Sequence, residues 1–272
     1  MTLTLKSDAD FALATATSMG VRLTPPDGQP FHTATQLMLQ VTSAETNVVS
    51  VSSYLGLPVK VMTKFVEGSP ISRLIRDNLA ARHISVEGPA IPQGDPWGYR
   101  HQFNLADSGC GSRGPRVHND RAGEVGRTLK ASDFDLDRIF GQEGVQIVHL
   151  SGLIAALSPE TGECCLEIAR AAKKHGTLIS FDLNHRASFW EGRESELRKI
   201  FHEIAGLTDI LIGNEEDFQL CLGVEGPEAG GQDISEKIDN FKRMIRNAQK
   251  TYPNTHIFAN TLREVLRAQQ RQ

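Results

Sequence analysis

The run Ile179-Ser-Phe-Asp-Leu-Asn-His-Arg-Ala-Ser-Phe-Trp190 places a carboxylate, an amide and a guanidinium at alternate positions: Asp182, Asn184 and Arg186. In an extended segment such residues share one side of the chain. Three polar groups converging at a strand end could hold a hydroxylated, anionic ligand, with the planar fork of Arg186 pairing with two carboxylate oxygens. The same spacing also suits a structural ion pair between Asp182 and Arg186, with Asn184 capping a turn, and spacing alone leaves both readings open.

A second run, Ile210-Leu-Ile-Gly-Asn-Glu-Glu-Asp217, reads as a buried strand that delivers polar groups to the start of a helix. Carboxylates there are favoured by the helix dipole whatever else they do. Local sequence therefore favours capping, while an indirect magnesium site is the functional alternative, since Mg²⁺ takes oxygen ligands and keeps several waters. Other motifs carry less. Gly109-Cys-Gly-Ser-Arg-Gly114 has the letters of a dinucleotide fingerprint, but Pro115 and a polar stretch follow where a helix should start, so a flexible loop is the better reading. The sequence has no phosphate-binding G-x-x-x-x-G-K-[ST], no H-E-x-x-H and no G-x-S-x-G. His149 lies inside an apolar strand and reads as a core residue.

Elements able to position these groups follow from the apolar pattern. Residues 145–150, 178–181, 210–212 and 256–259 are short β-branched runs separated by helical patterns, the alternation that builds a parallel sheet covered by helices. Ser158-Pro159-Glu160 is a helix start, and Gly176 is its stop. Such crossovers are right-handed, which favours a doubly wound sheet, where ligands bind outside the carboxyl ends of the strands. Earlier, a helix over about 45–55 precedes a strand over 59–65, and the polar, Gly-rich stretch 94–127 reads as short lid strands and loops.

Composition narrows the function classes. Hydrophobic content of 39% and charged content of 23% are ordinary for a globular protein, and a net charge of −4 argues against a nucleic-acid surface. The basic clusters at 170–174 and 242–246 have helical spacing and read as solvated faces. Four cysteines without C-x-x-C suggest reduced thiols and a cytoplasmic protein; no apolar run is long enough to span a membrane.

Taken in order, several pieces resemble the ribokinase-like (PfkB) carbohydrate kinases, most closely their 2-keto-3-deoxygluconate kinase branch. The matching pieces are Ser43-Ala-Glu-Thr-Asn-Val48, Leu55-Gly-Leu-Pro-Val-Lys-Val61, His149-Leu-Ser-Gly-Leu153, Asp182-Leu-Asn-His-Arg186 with Trp190, and Gly213-Asn-Glu-Glu-Asp217. The resemblance implies one ribokinase-like α/β domain over 1–272, a doubly wound three-layer sandwich with a small β lid within about 17–40 and 94–130. It implies ATP-dependent, Mg²⁺-assisted phosphorylation of a sugar acid, with a homodimer possible. Asn47 would contact sugar hydroxyls; Arg121, Asn184 and Arg186 would hold the sugar acid; Asn214 and Asp217 would organise magnesium and phosphates, Asp217 being the metal-side carboxylate.

Departures from the family pattern set further expectations. Thr42-Ser43 stands where the family has Gly-Gly, Thr24 where it has an acidic residue before Pro, and Asp217 where it has Glu. The family's late G-A-G-D turn supplies the base, and here its place is vacant. Gly230-Gly-Gln-Asp233 comes too early in the order and reads as a helix cap. No catalytic residue is therefore assigned, the C-terminal part of the fold is expected to be missing, and little phosphoryl transfer and low solubility are expected. The competing reading is a non-catalytic sugar-acid-binding or regulatory protein on a kinase scaffold; a third is a kinase for another sugar.

Overall fold

Short apolar runs become parallel strands, and Ser or Asn at their ends starts the helices that follow. The computed structural model describes residues 3–226, 234–261, 265–267 and 270–271. It divides into two units: Phe11–Asp135, and Met1–Asp10 with Leu136–Gln272. The Gly230–Asp233 string, expected to be a cap, lies outside the described residues.

The first of these units runs β1 (Phe11–Ala16), β2 (Gly20–Thr24), β3 (Met38–Thr42), α1 (Ala44–Tyr54), β4 (Val59–Met62), β5 (Phe65–Val66), α2 (Pro70–Ala81), β6 (Ile84–Glu87), β7 (Ala90–Ile91), β8 (Gln102–Asp107) and β9 (Arg116–Asp120). Strands β1, β4 and β6 form a parallel ladder. The expected lid segments supply a separate four-stranded sheet, ordered β3-β2-β8-β9. Met19, Val21, Val49, Val61, Phe65, Ile75 and Leu79 pack together in the buried core of this unit.

Local chemistry explains the boundaries. Ser43 caps α1, accepting the Thr46 N–H at 2.9 Å. The strand expected over 59–65 is instead two: after Met62, the Thr63 hydroxyl turns to donate to the Thr17 carbonyl at 2.7 Å, and β5 pairs with β7. Ser69 and Pro70 start α2 by the same Ser–Pro rule that holds at Ser158. The Gly109–Gly114 string is the hairpin between β8 and β9, with Gly109 and Gly111 at φ of +74° and +58°.

In the other unit the chain passes through β10 (Val145–Ser151), α3 (Gly152–Ala155), α4 (Pro159–Lys174), β11 (Leu178–Asp182), α5 (Ala187–Trp190), α6 (Glu194–Leu207), β12 (Ile210–Gly213), α7 (Glu215–Leu222), α8 (Ile234–Thr251) and β13 (Ile257–Asn260). These four strands pair in parallel in the order β13-β12-β11-β10, so their carboxyl ends lie along one edge. Ser158 and Thr161 close a reciprocal capping box at the head of α4, and Gly176, at φ +73°, ends it. The basic run near Arg170 is a helix face whose guanidinium pairs with Glu167 and Glu203. His149 is a core residue, bonded to the Ser180 hydroxyl at 3.1 Å, and burial pulls its pKa down to about 4. Among the described residues no helix is long and apolar enough to cross a membrane.

Candidate active site

The carboxyl ends of β11 and β12 meet in a cavity of about 590 Å³, lined by Asp182, Asn184, Arg186, Asn214, Glu216 and Asp217 among others. Both runs that opened the sequence reading therefore deliver their polar groups to one place. They do so by different local means.

After β12, Asn214 leaves the sheet in extended conformation and caps α7. Its Oδ1 accepts the Asp217 N–H at 2.9 Å, and Asp217 Oδ2 accepts the Asn214 N–H at 2.9 Å. Asp217 Oδ1 also accepts the His185 N–H at 3.0 Å, so one buried carboxylate ties the β11 exit to the α7 start. The capping reading is thus fulfilled by the residues that the resemblance assigns to magnesium and phosphates.

After β11 the alternation argument stops at Asp182, because Asn184 adopts φ +35°, in the left-handed region that costs a side-chain-bearing residue energy. Asn184 and Arg186 still line the cavity, but a turn and not an extended strand brings them there. Gly152 makes room for that turn, since a Cβ there would lie 1.9 Å from the Leu183 carbonyl oxygen. The structural ion pair with Asp182 does not form: Arg186 is exposed and makes no ion pair among the described residues. His185 lies against the Trp190 ring at 5.1 Å, and burial lowers its pKa against the opposing pull of Asp217 and Glu216.

The donor set bears on what could be held. Asp182, Glu216 and Asp217 bring three carboxylates to the cavity against one guanidinium, Arg186. Both Asp217 oxygens already accept backbone N–H groups, and no cluster of three or more His, Cys, Asp or Glu forms a metal cage among the described residues. Such a set fits Mg²⁺ held through its waters, with phosphate oxygens completing the shell, better than a dry protein cage.

Asn47 and Arg121 belong to the other unit. Asn47 is exposed in the first turn of α1. Arg121 follows β9 directly, and its Nη1 donates to both oxygens of Glu124, at 2.7 and 2.9 Å. Sequence reasoning passed over Glu124, as it did Thr261 in the cavity lining. The strand-end rule reaches Thr261, which directly follows β13; nothing local marks Glu124 as anything but a surface acid.

The open parallel α/β ladder carries its polar cavity at the strand ends, and the chain shares the ribokinase-like fold of solved PfkB-type kinases. Residues 129–258 match the model of the pfkB family carbohydrate kinases. It is 27% identical to a 2-dehydro-3-deoxygalactonokinase of Haloferax volcanii over 76% of this chain and 61% of that protein, so it spans about three fifths of that relative. The solved 2-dehydro-3-deoxygluconokinase of Thermotoga maritima superposes with a TM-score of 0.81 at 24% identity, covering 94% of this chain and 72% of that one. An uncharacterized sugar kinase of Pyrococcus horikoshii, solved in complex with ATP, aligns with a TM-score of 0.63 at 18% identity over 78% of this chain and 66% of its own.

Proposed function

We propose that this chain serves the ATP-dependent phosphorylation of a sugar acid such as 2-keto-3-deoxygluconate, in the cytoplasm. One observation carries the reading: Asn184, Arg186, Asn214 and Asp217 line a single cavity at the strand ends of the region that matches the pfkB family model. Arg186 takes the ligand's carboxylate and Asn184 a hydroxyl. Asn214 and Asp217 hold the exit of β12 in place so that the α7 start, with Glu216, organises hydrated Mg²⁺ and the phosphates of ATP. Asn47 and Arg121 are assigned sugar contacts by the resemblance alone, and the homodimer stands on the same footing.

Phosphoryl transfer asks little covalent chemistry of a protein; positioning and charge neutralisation do most of the work, with a base for the acceptor hydroxyl. No base is assigned among these residues, so the 272-residue chain is expected to bind better than it turns over. An ADP-release assay with 2-keto-3-deoxygluconate and Mg-ATP, run beside calorimetry with each ligand, tests this. Binding of both ligands with slow release supports the reading. Sugar-acid binding without nucleotide binding favours the non-catalytic alternative, and binding of neither removes both.

A further inference from the structure

Ser151, the last residue of β10, is buried and opens α3, its Oγ accepting the Leu153 N–H at 3.0 Å. The same oxygen accepts from Asn184 Nδ2 at 3.5 Å, at the end of the β10–β11 ladder where Ser151 sits opposite Asp182. A hydroxyl oxygen has two acceptor positions, and these bonds fill both. Behind the turn, the Leu183 carbonyl oxygen lies 1.9 Å from where a Cβ on Gly152 would stand, and Cys221 Sγ reaches that oxygen at 3.9 Å. Asn184 at φ +35° is therefore held by contacts from β10, α3 and α7. Backbone strain of this kind persists where the surroundings over-determine it, and it gathers at functional sites.

With Nδ2 turned to Ser151, the other end of the amide is left for the cavity that Asn184 lines, and Oδ1 accepts no hydrogen bond among the described residues. We infer that Ser151 is a positioning residue of this cavity, turning the Asn184 amide so that Oδ1 accepts a hydrogen bond from a ligand hydroxyl. A carbonyl oxygen offers no proton to an ionised oxygen, so Asn184 reads an alcohol while the nearby Arg186 reads an anion. Ser151 itself is not part of the cavity lining and acts through Asn184. The inference deepens the sugar-acid reading proposed above and rests on it.

Calorimetry of 2-keto-3-deoxygluconate with four proteins decides it: wild type, Ser151→Ala, Asn184→Gly and the double variant. Glycine removes the amide while tolerating the positive φ. Ser151→Ala is expected to lower affinity about three- to tenfold in the wild-type background, the effect of one neutral hydrogen bond. In the Asn184→Gly background the same substitution should change affinity less than about twofold, because its only route to the ligand is gone. Loss of the α3 cap alone would act equally in both backgrounds. Equal effects in the two backgrounds, or an effect within about twofold in the wild-type one, overturn the inference while leaving the kinase reading intact. If Ser151→Ala does not fold, Ser151→Cys, a weaker acceptor, takes its place in the same cycle. Wild-type protein that binds no sugar acid defeats both readings together.

Discussion

The guanidinium of Arg121 rests against a covered carboxylate, whereas that of Arg186 stands exposed beside a cavity with no ion pair among the described residues. Two arginines given the same duty by family resemblance are thus built for different ones. A guanidinium held by Glu124 and, behind it, Ser18 has little side-chain freedom left, and its charge faces a carboxylate. Arg186 is exposed at the cavity, so any ligand it bound would also have to order its side chain. A guanidinium's chemical type says what it can bind; its partners decide whether it binds by charge or by geometry.

The same contrast holds for the acids. Asp217 is structural and Glu216 is open: the first accepts two backbone N–H groups, while the second is an exposed member of the cavity lining. Asp217→Ala should produce the largest loss in the molecule's site region, about 2–4 kcal/mol by chemical denaturation, because it removes a cap and leaves two N–H groups without acceptors. Glu216→Ala should cost less than about 0.5 kcal/mol. Equal losses would erase the distinction.

His149 sharpens it by pH. Its folded-state pKa of about 4 lies below the unfolded value of 6.5, so the unfolded chain binds the proton first as pH falls. Stability from this group is complete above about pH 6.5 and is lost as pH drops toward 4, by about 3 kcal/mol in all. Denaturation series at several pH values should show that acid limb, flattened in His149→Gln. A limb unchanged by the substitution would assign the acid sensitivity elsewhere.

Next in size, Gly126→Ala should cost about 1–3 kcal/mol, since the added methyl meets Ser18 and must displace the hydroxyl that Glu124 accepts. Thermal denaturation beside Gly192→Ala, where a Cβ meets nothing within 4 Å and the cost is limited to the strain of φ +74°, separates crowding from backbone conformation.

Much of the framework was legible because its signals are local. Ser158-Pro159 and Gly176 bound α4, and β-branched runs mark β10 to β13, within a residue or two of where they form. The cavity's membership was legible for the same reason, through strand ends followed by polar residues. The path of the β11 exit was not, since Asn184 turns left-handed where alternation assumes an extended chain. Glu124 escaped because its partner Ser18 lies 106 residues away, and no periodicity reports a contact at that separation.

The central claim is that Arg186 supplies the positive charge by which this chain recognises an acidic ligand. Calorimetry of 2-keto-3-deoxygluconate with wild type and Arg186→Gln tests it, with the unfolding midpoint followed alongside. The account predicts a fall in affinity of about 10- to 100-fold, the loss of a charge-assisted hydrogen-bonded pair, at an unchanged midpoint. Affinity retained within about twofold, in a protein that folds as the wild type does, would contradict it.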